Sequence, residues 1–352
     1  METRIALLGC GNVGVRLIRL LATKDEALRR DHGLAVKISG AYTRRAGGWL
    51  APEGLTPAAL AASGWPEGAR PGAGIPDAGQ PFSGDGITFA RTCPADLLVE
   101  ITTLNPADGQ PALDHVRAAL ESGKHVVTAN KGPIAHALRE LRALAAAHGV
   151  GLRFESTLLD GTPIINMMEY CLPVTEVISF RGLLNSTSNY VLSLMASGLT
   201  LEDAVAEAQR AGVAEANPAN DLDGWDASVK ATVIANALMG ADIRPADVRR
   251  TGLGAEAMRQ AHAALKPGES LKQIAEGRRE GDTVIAEVSL QALPPGDTLG
   301  SLNGMETGVR LLTDTMRELT LIEGEGDPTQ TAMGVLSDIV NIARAYPTAR
   351  GV

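Results

Sequence analysis

The chain has 352 residues, 45% of them hydrophobic and 21% charged, with a formal net charge of −9. That length and composition suit a globular protein with two domains and a sizeable core, and exclude a disordered tail. The acidic balance excludes nucleic acid or an anionic membrane as the main partner and favours a small molecule, with room for a local basic phosphate pocket.

The N-terminus enters an apolar run at once, without the basic and apolar regions of a leader, and no apolar run reaches membrane-spanning length, so a cytoplasmic protein is expected. Residues 3–8 form a β-rich run that ends in Gly9-Cys10-Gly11-Asn12-Val13-Gly14, followed by the helical pattern Val-Arg-Leu-Ile-Arg-Leu-Leu-Ala. Strand, glycine turn and helix in that order suit a dinucleotide site; a glycine-rich turn with no ligand is the alternative. The first glycine permits the tight turn, the second lets the backbone approach a pyrophosphate, and the third lets helix and strand pack closely. A second strand, 34–43, ends at Tyr42-Thr43-Arg44-Arg45 rather than at an acid. Two arginines there suit a 2′-phosphate and point to NADP, with NAD possible; solvated loop charges are the alternative.

Thr56 and Pro57 read as N-cap and first residue of a short helix. Residues 64–86 carry seven glycines and four prolines, which excludes a regular helix or strand and predicts a long surface excursion. Alternation then resumes, with strands at 96–101, 124–129 and 152–155 and helices near 110–121 and 133–148. This predicts an α/β fold whose first domain, 1–150, is a Rossmann-type doubly wound parallel sheet. Its ligand crevice lies at the carboxyl ends of the strands, where Thr102, Thr103, Asn130 and Lys131 fall.

Beyond residue 155 the pattern becomes α+β, giving a substrate and dimerisation domain over 151–318 and a C-terminal segment, 319–352, that packs back on the nucleotide domain. Strands are expected at 176–184, 283–291 and 319–322, and a helix opens at Thr200 with a capping-box-like start. The last helix is expected at about 332–345. Cys10, Cys93 and Cys171 show no metal or paired spacing and read as reduced, buried thiols.

Residues 212–230 are the most informative stretch. Glu215 and Asp221 lie in a Pro-containing loop, and Asp226 and Lys230 stand at i and i+4 on one face of the following helix. Carboxylates around one lysine suit a small zwitterion: the acids take an ammonium group, and the lysine moves a proton or polarises a carbonyl. An acid in the first turn and an i,i+4 Asp–Lys pair are also what an ordinary surface helix shows.

Taken in order, the glycine turn, Val-Val-Thr-Ala-Asn130-Lys131-Gly-Pro, Leu-Leu-Asn185-Ser-Thr187-Ser-Asn-Tyr190 and the Glu215–Lys230 block make the chain resemble the homoserine dehydrogenase family over nearly its whole length. The resemblance implies NAD(P)-dependent interconversion of L-homoserine and L-aspartate 4-semialdehyde by a homodimer, without a regulatory ACT domain or an aspartokinase fusion. It implies that Glu215 and Asp226, supported by Asp221, hold the substrate ammonium, and that Thr187 and Tyr190 shape the pocket. Lys131 and Lys230 match the family's active-site lysines. Lys230 would exchange the proton of the substrate oxygen, and Lys131 would assist near the nicotinamide. A free lysine, with pKa ~10.4, is a poor base at neutral pH, so burial or a neighbouring cation is expected to lower it. Glu155 matches a position near a monovalent-cation loop, and Gly326 one close to the cofactor.

Two stretches depart from the family pattern. A Gly-x-Gly expected after the conserved glutamate appears as Glu155-Ser-Thr-Leu158-Leu159-Asp160-Gly161, and a glycine-rich run near the C-terminus as Glu323-Gly-Glu325-Gly326-Asp327. They bear on the cation loop and on the pocket, and motivate a related amino or hydroxy acid as alternative substrate. A non-catalytic NADP-binding sensor is a third reading, which would be expected to lack the lysines and carboxylates.

Overall fold

The computed structural model describes residues 1–63 and 79–346. The chain divides into two compact units, Met1–Pro163 with Asp327–Val352, and Ile164–Gly326.

The first unit is built on strands β1 (Glu2–Leu8), β2 (Ala35–Thr43), β3 (Gly47–Leu55), β4 (Gln80–Phe82), β5 (Leu97–Glu100), β6 (His125–Thr128) and β7 (Leu152–Arg153). They lie side by side in the order β4-β3-β2-β1-β5-β6-β7. Strands β2, β1, β5, β6 and β7 run parallel, as the alternation predicts. β1 lies between β2 and β5, where strand order reverses and an open α/β sheet forms its crevice. Its residues Ile5, Ala6, Leu7 and Leu8 are all buried, because helices cover both faces of a parallel sheet. Those helices are α1 (Asn12–His32), α2 (Pro57–Ala62), α3 (Gly86–Thr92), α4 (Ala112–Glu121) and α5 (Lys131–Ala147). α2 starts as expected, with Thr56 Oγ1 accepting the Ala59 N–H at 3.2 Å and Pro57 in the first turn.

Three expectations are corrected here. The first sheet has an antiparallel edge, β3 and β4, that the sequence hides: Gly47, Gly48, Pro52 and Gly54 punctuate β3. Pro52 falls between Leu50 and Leu55, where pairing with β2 shifts register, so its missing N–H breaks no regular ladder. Most of the Gly/Pro-rich excursion, 64–78, lies outside the described residues, but its end forms β4 and Gly86 opens α3. Phe82 of β4 packs edge-on to Phe89, centroids 5.4 Å apart, which anchors this short strand. β7 stops before Glu155, because the Phe154 carbonyl accepts both the N–H and Oγ1 of Thr157, at 3.1 and 2.7 Å, and winds the chain into a 3₁₀ turn.

The second unit contains β8 (Val177–Leu183), β9 (Arg249–Arg250), β10 (Ser270–Glu280), β11 (Thr283–Leu293), β12 (Thr307–Thr313) and β13 (Glu318–Glu323), in the order β13-β12-β8-β10-β11-β9. Its helices are α6 (Ser186–Ala196), α7 (Leu201–Arg210), α8 (Ala219–Leu222), α9 (Trp225–Leu238) and α10 (Ala255–Ala264). β10 escapes sequence reading because lysine, glutamine and glutamate interrupt its apolar residues. Lys272 is nevertheless buried, with Nζ donating to Asn189 Oδ1 at 2.9 Å, and burial pushes its pKa down to about 8. α9 has Ala227, Ser228, Val229 and every residue from Ala231 to Asn236 buried, the profile of a helix packed nearly all round.

Helix α11 (Pro328–Ala345) returns to the first unit, where Val335, Leu336, Ile339 and Ile342 join Leu17, Ile18 and Leu21 of α1 in one core. It starts earlier than expected, since Asp327 and Gln330 form a capping box around Pro328. Burial raises the thiol pKa of Cys10 and Cys93, Cys93 to about 11, but as residues only Cys93 is buried, Cys10 being half-buried and Cys171 exposed, against the expectation of three buried thiols.

Candidate active site

The glycine turn of the first unit has the shape its sequence implies. Gly9 adopts φ +100°, and a Cβ there would sit 2.5 Å from the Ile101 carbonyl oxygen, so only glycine fits. Gly14 packs against Gly9 and Ile101, where a Cβ would come within 3.2 Å of the Gly9 carbonyl oxygen and Ile101 Cδ1, tighter than an ordinary contact, so its lack of a side chain keeps α1 close to the sheet. Gly11 faces open space. It is the N-cap of α1 and offers no side-chain cap, and no acid occupies the first turn, so the helix presents backbone N–H groups and its positive end beside exposed Gly11 and Asn12. Val13 is half-buried behind them. An open, uncapped helix start behind a glycine cradle fits a dinucleotide pyrophosphate.

At the neighbouring strand ends, Asn130 organises two loops. Its Oδ1 accepts the Gly132 N–H at 3.0 Å, capping α5, while Nδ2 donates to the carbonyls of Thr102 and Thr103 at 3.1 and 3.5 Å. Lys131 is the first residue of α5 and half-buried. Arg44 and Arg45 follow β2 and are both exposed.

The second unit gathers a polar cluster on α8, α9 and the start of α6. Lys230 Nζ lies 3.0 Å from Asp226 Oδ2, both side chains about 15% exposed at most, and donates to the Leu184 carbonyl at 2.6 Å. Asn185 Nδ2 bridges the carboxylates, donating to Asp221 Oδ1 at 2.7 Å and Asp226 Oδ2 at 3.0 Å. Its Oδ1 accepts the Ser188 N–H at 2.7 Å as N-cap of α6, which fixes which end of the amide faces the acids. Two acidic side chains and a lysine are thus gathered in one half-buried place. That suits a ligand bearing an ammonium group and a reacting oxygen.

Comparison with known proteins fits both halves. The homoserine dehydrogenase model matches residues 163–340, and the model of the NAD binding domain of homoserine dehydrogenase matches residues 9–155. An NAD(+)-dependent homoserine dehydrogenase of Pseudomonas canavaninivorans is 34% identical over 97% of this chain and 96% of its own. The chain belongs to the homoserine dehydrogenase family. Among solved structures, the homoserine dehydrogenase of Thermoplasma acidophilum has a TM-score of 0.79 at 28% identity, covering 98% of this chain and 100% of its own. A hyperthermophilic archaeal homoserine dehydrogenase in complex with NADPH has a TM-score of 0.81 at 25% identity, covering 99% and 100%.

Within this homoserine dehydrogenase fold, Asp221, Asp226 and Lys230 come together, and Asp221 does so from the one-turn helix α8 rather than from a loop. Glu215 is exposed; its backbone carbonyl accepts from Gln209 Nε2 at 3.1 Å, and its carboxylate is not in the cluster. Thr187 is buried, with Oγ1 on the Val213 carbonyl at 3.3 Å, and Tyr190 packs against the apolar cluster that includes Val191, Leu192 and Ala214. Asn185 was not singled out among the site residues by sequence. The signal available was an Asn one residue before a helical run, the N-cap position, from which its other amide end must point elsewhere.

Glu155 is buried, and its N–H donates to Asp338 Oδ2 at 2.8 Å. In the following loop Leu159 and Asp160 take left-handed φ of 37° and 45°, a strained conformation for residues with a Cβ. The carbonyls of Phe154, Glu155, Leu158 and Leu159 each accept an N–H within the loop. Gly326 is half-buried, just before the Asp327 cap of α11.

Proposed function

We propose that the chain interconverts L-homoserine and L-aspartate 4-semialdehyde with NAD(P) as hydride carrier. The observation that carries the proposal is the Asn185-bridged pair Asp221 and Asp226 with Lys230 against one of them. Asp221 and Asp226 take the substrate ammonium, and Glu215 closes on it from its exposed loop. Thr187 and Tyr190 support the wall of the pocket. In the reducing direction Lys230 gives a proton to the oxygen that becomes the alcohol, and in the oxidising direction it takes the proton from the hydroxyl as the C–H hydrogen leaves as hydride. Lys230 Nζ, 3.0 Å from Asp226 Oδ2 and 2.6 Å from the Leu184 carbonyl, is held in place beside that oxygen. The bound nicotinamide supplies the acceptor or donor of that hydride. Gly9, Gly11, Asn12, Val13 and Gly14 hold its pyrophosphate. Thr102, Thr103 and Lys131 serve its nicotinamide end, and Gly326 is a further candidate cofactor residue.

Arg44 and Arg45, exposed at the end of β2, support a preference for NADP through its 2′-phosphate. Among the described residues no helix is long and apolar enough to cross a membrane, in keeping with a cytoplasmic enzyme. The second sheet leaves Ile178, Leu312 and Ile322 exposed, which supports pairing of two copies into a homodimer.

Steady-state oxidation of L-homoserine, followed at the nicotinamide absorbance with NADP and NAD in parallel, tests the proposal. Efficient turnover, faster with NADP, is the expected result. Cofactor binding without homoserine oxidation would reject this substrate and turn attention to related amino and hydroxy acids.

A further inference from the structure

The carboxylate of Glu100 is completely buried at the end of β5, and none of the roles above uses it. In the sheet it stands level with Leu8 of β1 on one side and Thr128 of β6 on the other. It therefore sits where the glycine turn and the Thr128–Lys131 turn leave the sheet. A buried carboxylate is costly unless its oxygens are satisfied. Here Oε1 accepts the Thr102 hydroxyl and the Thr102 N–H, the latter at 3.3 Å, and Oε2 accepts the Thr128 hydroxyl at 3.3 Å. Among the described residues no lysine or arginine pairs with it. The ionisable neighbour is His115 of α4, whose Nδ1 lies 3.6 Å from Oε1 and makes no hydrogen bond among the described residues.

The two threonines lead to the same residue. Thr128 Oγ1 accepts the Asn130 N–H at 2.9 Å, and Asn130 Nδ2 returns to the Thr102 carbonyl at 3.1 Å. Glu100, Thr102, Asn130 and Thr128 thus form a closed circuit that ties the 101–104 loop to the start of α5. We propose that Glu100 is a positioning residue for the nucleotide: its carboxylate fixes Thr102, Thr103 and the Lys131 end of α5 as one piece, so that they meet the nicotinamide end together. The proposal rests on the dehydrogenase reading for the identity of the ligand.

Glu100→Gln keeps the volume and an acceptor for Thr102, but removes the charge and turns an NH₂ group towards Thr128 Oγ1, which must then accept where it donated, so the circuit loses its charge-assisted bond on that side. The expected result is an NADPH affinity, measured by fluorescence titration, lower by about tenfold, as for loss of one hydrogen bond to a charged group. Tm should stay close to that of the unaltered protein. Hydrogen exchange should rise at 129–132 in Glu100→Gln and Thr128→Val, and at 101–104 in Thr102→Val. Unchanged NADPH affinity and exchange in Glu100→Gln would overturn the proposal. So would a fall in Tm with NADPH affinity intact, which would leave Glu100 a residue of the fold alone. Should Glu100→Gln not fold, the two threonine variants decide by the same readouts. Unaltered protein that binds NADPH but does not turn over homoserine would reject the functional reading and leave this test standing.

Discussion

Asn185→Asp separates the two jobs of that residue, because aspartate caps a helix as well as asparagine does but cannot donate to two carboxylates. The Ser188 N–H keeps its acceptor. The bonds to Asp221 and Asp226, 2.7 and 3.0 Å, are replaced by like charges at the same places. Each lost bond to a charged group is worth roughly 1.5–3 kcal/mol, and like charges ~4 Å apart at an effective dielectric of ~20 repel by about 4 kcal/mol. The new group escapes by taking up a proton, which costs about 4 kcal/mol at pH 7 for a carboxyl whose ordinary pKa is ~3.9. That escape caps the loss at about 4 kcal/mol and restores one donor. The variant's carboxyl therefore has its pKa raised in the folded state, so folding binds an extra proton and the deficit shrinks by up to ~1.4 kcal/mol per unit as pH falls from about 7 to 5. Urea denaturation at both pH values, with the KM for homoserine, measures this. A midpoint equal to that of the unaltered protein at pH 7, or a deficit independent of pH, would refute the bridging role of Asn185.

Other outcomes follow from single features. Lys230→Ala should lower kcat by at least ~10²-fold while NADPH affinity stays nearly intact; loss of cofactor binding would remove Lys230 from the chemistry. Arg44→Ala with Arg45→Ala should raise the KM for NADP about tenfold or more and leave that for NAD unchanged, and an equal effect on both would reject the 2′-phosphate contact. His125 has its pKa lowered by burial, with Asp96 opposing, and its Nδ1 accepts the Gly151 N–H at 2.8 Å. A base lowered in the folded state is protonated more readily when unfolded, so its neutral form contributes stability above the ordinary histidine pKa, and this is lost as pH falls through ~6.5. Tm should therefore drop between pH 7.5 and about 5.5, and drop less in His125→Asn, whose Oδ1 can take the same N–H; identical slopes would exclude His125 as the source.

The parts of this site that were legible in the sequence are those whose partners are close along the chain. The glycine turn is read within six residues because strand, turn and helix follow one another directly along the chain, with Gly9 at a φ of +100° between them. Asp226 and Lys230 are read together because one helical turn separates them, and the structure places them 3.0 Å apart. Asn185 lies 36 and 41 positions from the acids it bridges, and no local periodicity carries information across that distance. The same reason hides β3, which pairs with β2 despite its glycines and proline, and β10, whose Lys272 is polar in sequence and buried only because Asn189, 83 residues away, receives it. Glu215 shows the opposite failure. Its neighbours in sequence group it with Asp221 and Asp226, but the chain turns after α7 with the Gln209 amide holding the Glu215 and Ala216 carbonyls, at 3.1 and 3.3 Å, and the carboxylate is left in solvent. An exposed acid on a loop pinned through its backbone can swing onto an arriving ammonium at little cost, whereas Asp221 and Asp226 are already fixed by Asn185. On the proposed reading the site divides into a rigid pair, set by folding, and an acid that substrate would complete, so Glu215→Gln should raise the KM for homoserine without changing stability. Loss of Tm in that variant would show that Glu215 is part of the fold after all.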